Sequence, residues 1–190
     1  TYGFVRIAMP MLPEAWRDWA WVIIVVGIVS VVYGALVALA QTNFKRMVAY
    51  TSVNHMGYIV LAVGAAGLVA DDTTQARSVA VTGAVTQMVS HGLITGALFL
   101  LAGVLQDRAA TYDMDSYGGL AGPAPRFAAF FAVGAFASLG LPGLSGFIAE
   151  FQIFTGSIAA APVTAIALVG ILLTAALFLR ALQRIFTGET

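Results

Sequence analysis

Three ionisable side chains, His55, His91 and Glu150, stand inside stretches that are otherwise apolar. Glu150 lies in Gly-Phe-Ile-Ala-Glu-Phe-Gln-Ile-Phe, a short way past Pro142 and Gly143. An acidic group at mid-membrane costs about 2.5 to 3.5 kcal/mol on insertion scales, so one kept there is paired, protonated or facing water, and is by default functional. A histidine titrates near neutral pH and can pass a proton through either ring nitrogen. One carboxyl and two imidazoles are thus the parts of a proton relay. The bland alternative is interhelical hydrogen bonding, which averages only about 0.6 kcal/mol in one helical membrane protein.

The neighbours of these residues are polar at helical spacing. Gln87 lies one turn before His91 and Ser90 is adjacent to it, while Thr51, Asn54, His55 and Tyr58 follow the i, i+3, i+4, i+7 pattern. These are two polar stripes on apolar helices. Before Glu150, the run Gly140-Leu141-Pro142-Gly143-Leu144-Ser145-Gly146 interrupts the helix: Pro142 has no amide hydrogen and the glycines relax the backbone, freeing polar groups that need partners. A discontinuous helix beside a polar path is a recurring transporter device. Pro142, Gly143 and Ser145 therefore join the site as its helix break. Lys45 and Arg46 read as snorkelling topology residues, and Asp113, Asp115 and Tyr117 as solvated loop residues or partner contacts.

Metal binding is not expected, because two histidines and one carboxylate on three separate helices have no recognisable ligand spacing. The absence of cysteine removes thiolate metal sites, iron–sulfur clusters and disulfides. No catalytic residue and no cofactor is assigned to this chain.

The elements that must hold these groups are membrane helices. Of 190 residues, 60% are hydrophobic and 9% charged, against about 25% charged in soluble domains. Hydropathy predicts an all-α integral membrane protein with spans at about 19–40, 47–69, 79–105, 127–158 and 163–186. The fourth is broken at Gly140-Leu141-Pro142-Gly143, and residues 1–12 read as the tail of a preceding helix, so that 1–190 is one membrane domain. The start at Thr1, with no basic n-region, reads as an internal cut in a longer protein. Alternating spans place Lys45, Arg46, Arg108, Arg126, Arg180 and Arg184 on one side and Arg6, Arg17 and Arg77 on the other, which makes the first group cytoplasmic. With acidic and basic residues equal in number, nothing in the charge suggests nucleic acid.

The motifs Gln41-Thr42-Asn43-Phe44-Lys45-Arg46-Met47-Val48-Ala49-Tyr50-Thr51-Ser52-Val53-Asn54-His55-Met56-Gly57-Tyr58, Gln87-Met88-Val89-Ser90-His91-Gly92-Leu93 and Tyr117-Gly118-Gly119-Leu120 resemble the antiporter-like membrane subunits of respiratory complex I. The run from Ser138 to Phe151 resembles their M-type, or chain 4, branch in particular. The resemblance implies one half of a pair of five-helix inverted repeats, with Glu150 matching the broken-helix glutamate on the proton exit side and His55 and His91 matching the hydrated central axis. It implies a proton-translocating subunit of a bacterial plasma-membrane NADH:quinone oxidoreductase. NADH and quinone would be bound by other subunits, and this chain would contact membrane-arm partners and lipid. Mrp-type sodium/proton antiporters and the chain 2 and chain 5 types usually carry lysine where this chain has Glu150, and they remain the alternative with membrane-bound hydrogenase subunits. The family's entry glutamate and its paired and bridging lysines have no match in this stretch, so a half-channel is implied. The loop around Asp71 and Asp72 is longer than the resemblance suggests.

Overall fold

The computed structural model describes residues 2–68 and 74–188. The expected loop at Asp71 and Asp72 lies outside the described residues, as does Val69 at the end of the second expected span. The chain opens with a π-helical turn, Phe4–Ala8, that continues into α1 (Met9–Met11). It then forms α2 (Pro13–Asp18), α3 (Ala20–Leu39), α4 (Phe44–Leu68), α5 (Thr74–Ala109), α6 (Pro125–Ser138), α7 (Ser145–Ala160) and α8 (Leu168–Phe186). Among the described residues, three helical stretches, Ala20–Leu39, Thr74–Ala109 and Pro162–Phe186, are long and apolar enough to cross a membrane.

Outward-facing side chains such as Val25, Leu93, Leu100, Phe130 and Leu172 are large and apolar, while polar Thr51, Asn54, His55, Gln87 and Glu150 are buried. This inversion is what hydrocarbon as solvent requires. Helix α4, with 25 residues, covers roughly 37 Å at 1.5 Å per residue. It is the most enclosed helix, packed against α3, α5, α7 and α8, so its polar Thr51, Asn54 and His55 are surrounded by protein rather than lipid.

Close backbone approach holds α3 on α4. A Cβ on Gly27 would sit 2.7 Å from the Leu61 amide nitrogen, and one on Gly57 would sit 2.8 Å from that of Val31. Small residues at such crossings replace the hydrophobic drive that lipid cannot supply. We predict that Gly57→Ala, which drives a methyl into backbone rather than into a movable side chain, lowers stability by about 1 to 3 kcal/mol. A fall in the thermal midpoint of the detergent-solubilised protein checks this; an unchanged midpoint would mean that the helices separate at no cost.

Two expectations about extent change. The third apolar region extends beyond 105, because α5 runs on through Gln106, Asp107 and Arg108 to Ala109, and helix stops where Ala110 takes φ 55. The fifth region opens as a 3-10 helix, Pro162–Ala167, before α8.

The ends of α3, α5 and α8 and the starts of α4 and α6 meet on one side. There the 110–124 segment is tied down by Phe44 N donating to Tyr112 O (2.8 Å), Met114 N to Thr42 O (2.9 Å) and Gly119 N to Thr187 O (3.0 Å). Tyr117 donates its hydroxyl to Thr111 O at 2.7 Å, and burial pushes its phenol above the usual range. Arg180 Nη1 donates to Leu39 O at 2.7 Å, a cation on the negative end of α3. Losing that charged bond in Arg180→Ala is expected to cost about 1.5 to 3 kcal/mol. Urea or heat titration checks it, with Arg184→Ala as the comparison, since the Arg184–Asp115 pair at 3.0 Å is partly exposed and worth little.

Candidate proton-relay site

The site forms where α4, α5 and the break between α6 and α7 meet. Helix α6 ends at Ser138, the chain turns through Gly140 (φ +76) and Gly143 (φ +99), and α7 begins at Ser145. Both glycines lie in the left-handed region that side-chain-bearing residues rarely adopt. At Gly140 there is a second demand, because a Cβ there would lie 2.5 Å from Glu150 Oε2. The turn thus presses bare backbone against the carboxyl of Glu150, which is buried.

His55 on α4 and His91 on α5 face each other, with Nδ1 to Nδ1 at 3.1 Å and ring centroids 5.0 Å apart in an edge-to-face arrangement. His55 Nε2 donates to the backbone carbonyl of Ser138 at 3.1 Å. His91 Nδ1 also lies 3.1 Å from Thr95 Oγ1, one turn along α5. Ser90 and Ser145 join hydroxyls at 2.8 Å, bridging α5 to the first residue of α7.

These groups surround a cavity of about 10 Å³ lined by His55, Gln87, Ser90, His91, Ser138 and Glu150, with Ile94, Ala137 and Gly146 completing the wall. That volume, counted as space for the centre of a water-sized sphere, is room for about one water. Gln87 Oε1 and Ser138 Oγ are buried there without a hydrogen-bond partner among the described residues. A polar pocket with unpaired oxygens in its wall is where a water is held. On its other flank Glu150 borders an apolar groove of about 540 Å³ that includes Gly140, Phe147, Phe151 and Ile171. The carboxyl therefore stands at the boundary between a polar interior and an apolar face.

Of the residues singled out by sequence, His55, Gln87, Ser90, His91 and Glu150 come together around the cavity, and Ser145 joins through Ser90. Thr51, Asn54 and Tyr58 are buried but line other contacts. Thr51 bonds back to Val48 O at 2.8 Å, Asn54 Nδ2 donates to Val31 O on α3 at 2.9 Å, and the Tyr58 ring packs on Phe154 with centroids 5.3 Å apart. Pro142 and Gly143 are exposed at the break and do not touch the cavity. Sequence reasoning missed Thr95 and the Ser138 carbonyl. Thr95 continues the Gln87–His91 row at i+4, which was a legible signal. Among the described residues, no group of three or more His, Asp, Glu or Cys is arranged to hold a metal ion.

The model of the family described as "NADH:quinone oxidoreductase/Mrp antiporter, TM" matches residues 1–176. Two curated relatives are the F(420)H(2) dehydrogenase subunit M of Methanosarcina mazei, 45% identical over 98% of this chain and 36% of its own length, and the NADH-quinone oxidoreductase subunit M of Rickettsia prowazekii, 38% identical over 99% of this chain and 36% of its own length. The chain thus spans a little over a third of the length of the relatives it matches. Among solved structures, respiratory complex I from Thermus thermophilus with bound NADH superposes with a TM-score of 0.91 at 35% identity, covering 99% of this chain and 38% of that one. The Mrp complex from Dietzia sp. DQ12-45-1b gives 0.78 at 28% identity, covering 91% and 31%. Fold, buried polar axis and sequence agree: the chain belongs to the NADH:quinone oxidoreductase/Mrp antiporter family of integral membrane proteins.

Proposed function

We propose that this chain is the broken-helix half of an M-type, proton-translocating subunit of a quinone-reducing complex, and that protons cross it through His91 and Glu150 with His55 as partner. The observation that carries the reading is a buried carboxyl and two paired imidazoles around one cavity with room for about one water. In this reading α3, α4, α5, the broken pair α6–α7 and α8 are five spans. The side bearing Lys45, Arg46, Arg108, Arg126, Arg180 and Arg184 faces the cytoplasm of a bacterial inner membrane. NADH and quinone are bound by partner subunits, and redox energy released there changes the protonation of this relay. This chain itself carries out no electron transfer.

The groups in the cavity suit protons better than sodium. Oxygens of Gln87, Ser90, Ser138 and Glu150 also line the wall, but the paired imidazoles are proton-exchanging groups for which a sodium path has no use. The similarity to the Mrp complex keeps a cation antiporter as the second reading. Acidification of vesicles carrying the intact complex, driven by quinone reduction in sodium-free buffer, separates the two. Full pumping without sodium is expected; pumping that appears only on adding sodium would select the antiporter.

A further inference from the structure

Deepening the relay reading on which it rests, we infer that the helix break fixes the tautomer of His55 by leaving the Ser138 carbonyl without a helical donor. In an unbroken helix the carbonyl of residue 138 accepts from the amide of residue 142. Here α6 ends at Ser138 and the chain turns away through Gly140 at φ +76, so no amide four residues on is placed to donate. The carbonyl is instead met by His55 Nε2 at 3.1 Å, a buried contact. The neighbouring amides are engaged elsewhere: Leu139 N bonds to Ala135 O at 3.0 Å and Leu141 N to Phe136 O at 3.1 Å. His55 therefore satisfies an acceptor that the break creates.

The chemistry then runs in one direction. A carbonyl only accepts, so Nε2 of His55 must carry a hydrogen, and in the neutral ring Nδ1 must be the acceptor. The group facing that Nδ1 at 3.1 Å is Nδ1 of His91, which must then be the donor, leaving His91 Nε2 bare. When His91 gains a proton at Nε2, its Nδ1 proton can move to His55 Nδ1, giving a neutral His91 and a cationic His55 with both nitrogens protonated. His55 cannot pass its Nε2 proton onward, because the carbonyl there does not take one. The proton returns by the way it came. His91 is thus the in-line carrier and His55 a side station that accepts and returns protons through Nδ1 alone, held in place by the break that also shapes the approach to Glu150.

One measurement on the intact complex carrying the full-length chain tests this. Solid-state NMR of ring-¹⁵N-histidine protein at pH 8, with the His55 signals identified by their loss in His55→Gln, reads the tautomer in the unsubstituted chain. Expected are a protonated Nε2 and a bare Nδ1; a protonated Nδ1, a doubly protonated ring or an exchanging mixture overturns the inference. The tautomer is read without transport, so if Glu150→Gln pumps normally the transport reading falls while this result stands or fails separately.

Discussion

Glu150→Gln is expected to lower redox-driven proton pumping by about tenfold or more while the complex still assembles, because an amide keeps the shape and the hydrogen bonding of the acid but cannot exchange a proton. The substitution removes no volume from the buried position, so packing on the cavity and on the apolar groove is preserved. Glu150→Asp keeps the carboxyl but draws it back by one methylene from Gly140, and should retain part of the activity. Pumping measured in proteoliposomes, with assembly followed on native gels, checks both. An order of wild type, then Asp, then Gln distinguishes a proton carrier from a packing residue, for which Gln would be the better tolerated of the two.

The second large effect is expected at Gly140. Gly140→Ala has two costs: a left-handed backbone, about 1 to 2 kcal/mol for a residue with a side chain, and a methyl 2.5 Å from Glu150 Oε2. The first alone is survivable, since Ala110 adopts φ 55 in this same chain. The clash therefore decides the outcome. It must push the carboxyl off the boundary it holds, and pumping should fall about as far as in Glu150→Gln. Gly143→Ala is the informative contrast: its φ of +99 imposes strain, but its Cβ would enter open space. That variant should lose thermal stability and keep most of its pumping per assembled complex, whereas equal losses at both glycines would assign the effect to the turn and not to the carboxyl.

Much of this was legible in the sequence, and the failures have physical causes. Apolar stretches long enough for a bilayer predicted helices, and an acid within one of them marked Glu150, because burying a charge in hydrocarbon is too costly to be incidental. The stripe Thr51, Asn54, His55, Tyr58 was read as one face, yet the structure divides it. Successive residues are 100° apart on a helix, so Asn54 reaches α3 while His55 reaches α5 and the break. Spacing fixes a face, but on a helix surrounded by neighbours it does not say which neighbour each residue meets. The third span was expected to end at 105, yet the polar Gln106-Asp107-Arg108 continues its helix, since charged residues at a membrane edge do not stop a helix without a breaker. Pro142 marked the break, but nothing in the sequence singled out the carbonyl of Ser138 as the group it leaves free. Only the folded chain reveals that a histidine 83 positions away supplies its hydrogen bond.

The most direct test of the central claim is infrared difference spectroscopy of the intact complex between resting and turning-over states, in unsubstituted and Glu150→Gln protein. A carboxyl C=O band that changes with turnover, shifts in deuterium oxide and is absent in the variant is the expected result, since it reports a proton entering and leaving Glu150. A difference spectrum with the same carboxyl bands in both proteins would contradict the account and leave Glu150 as a residue that only packs helices.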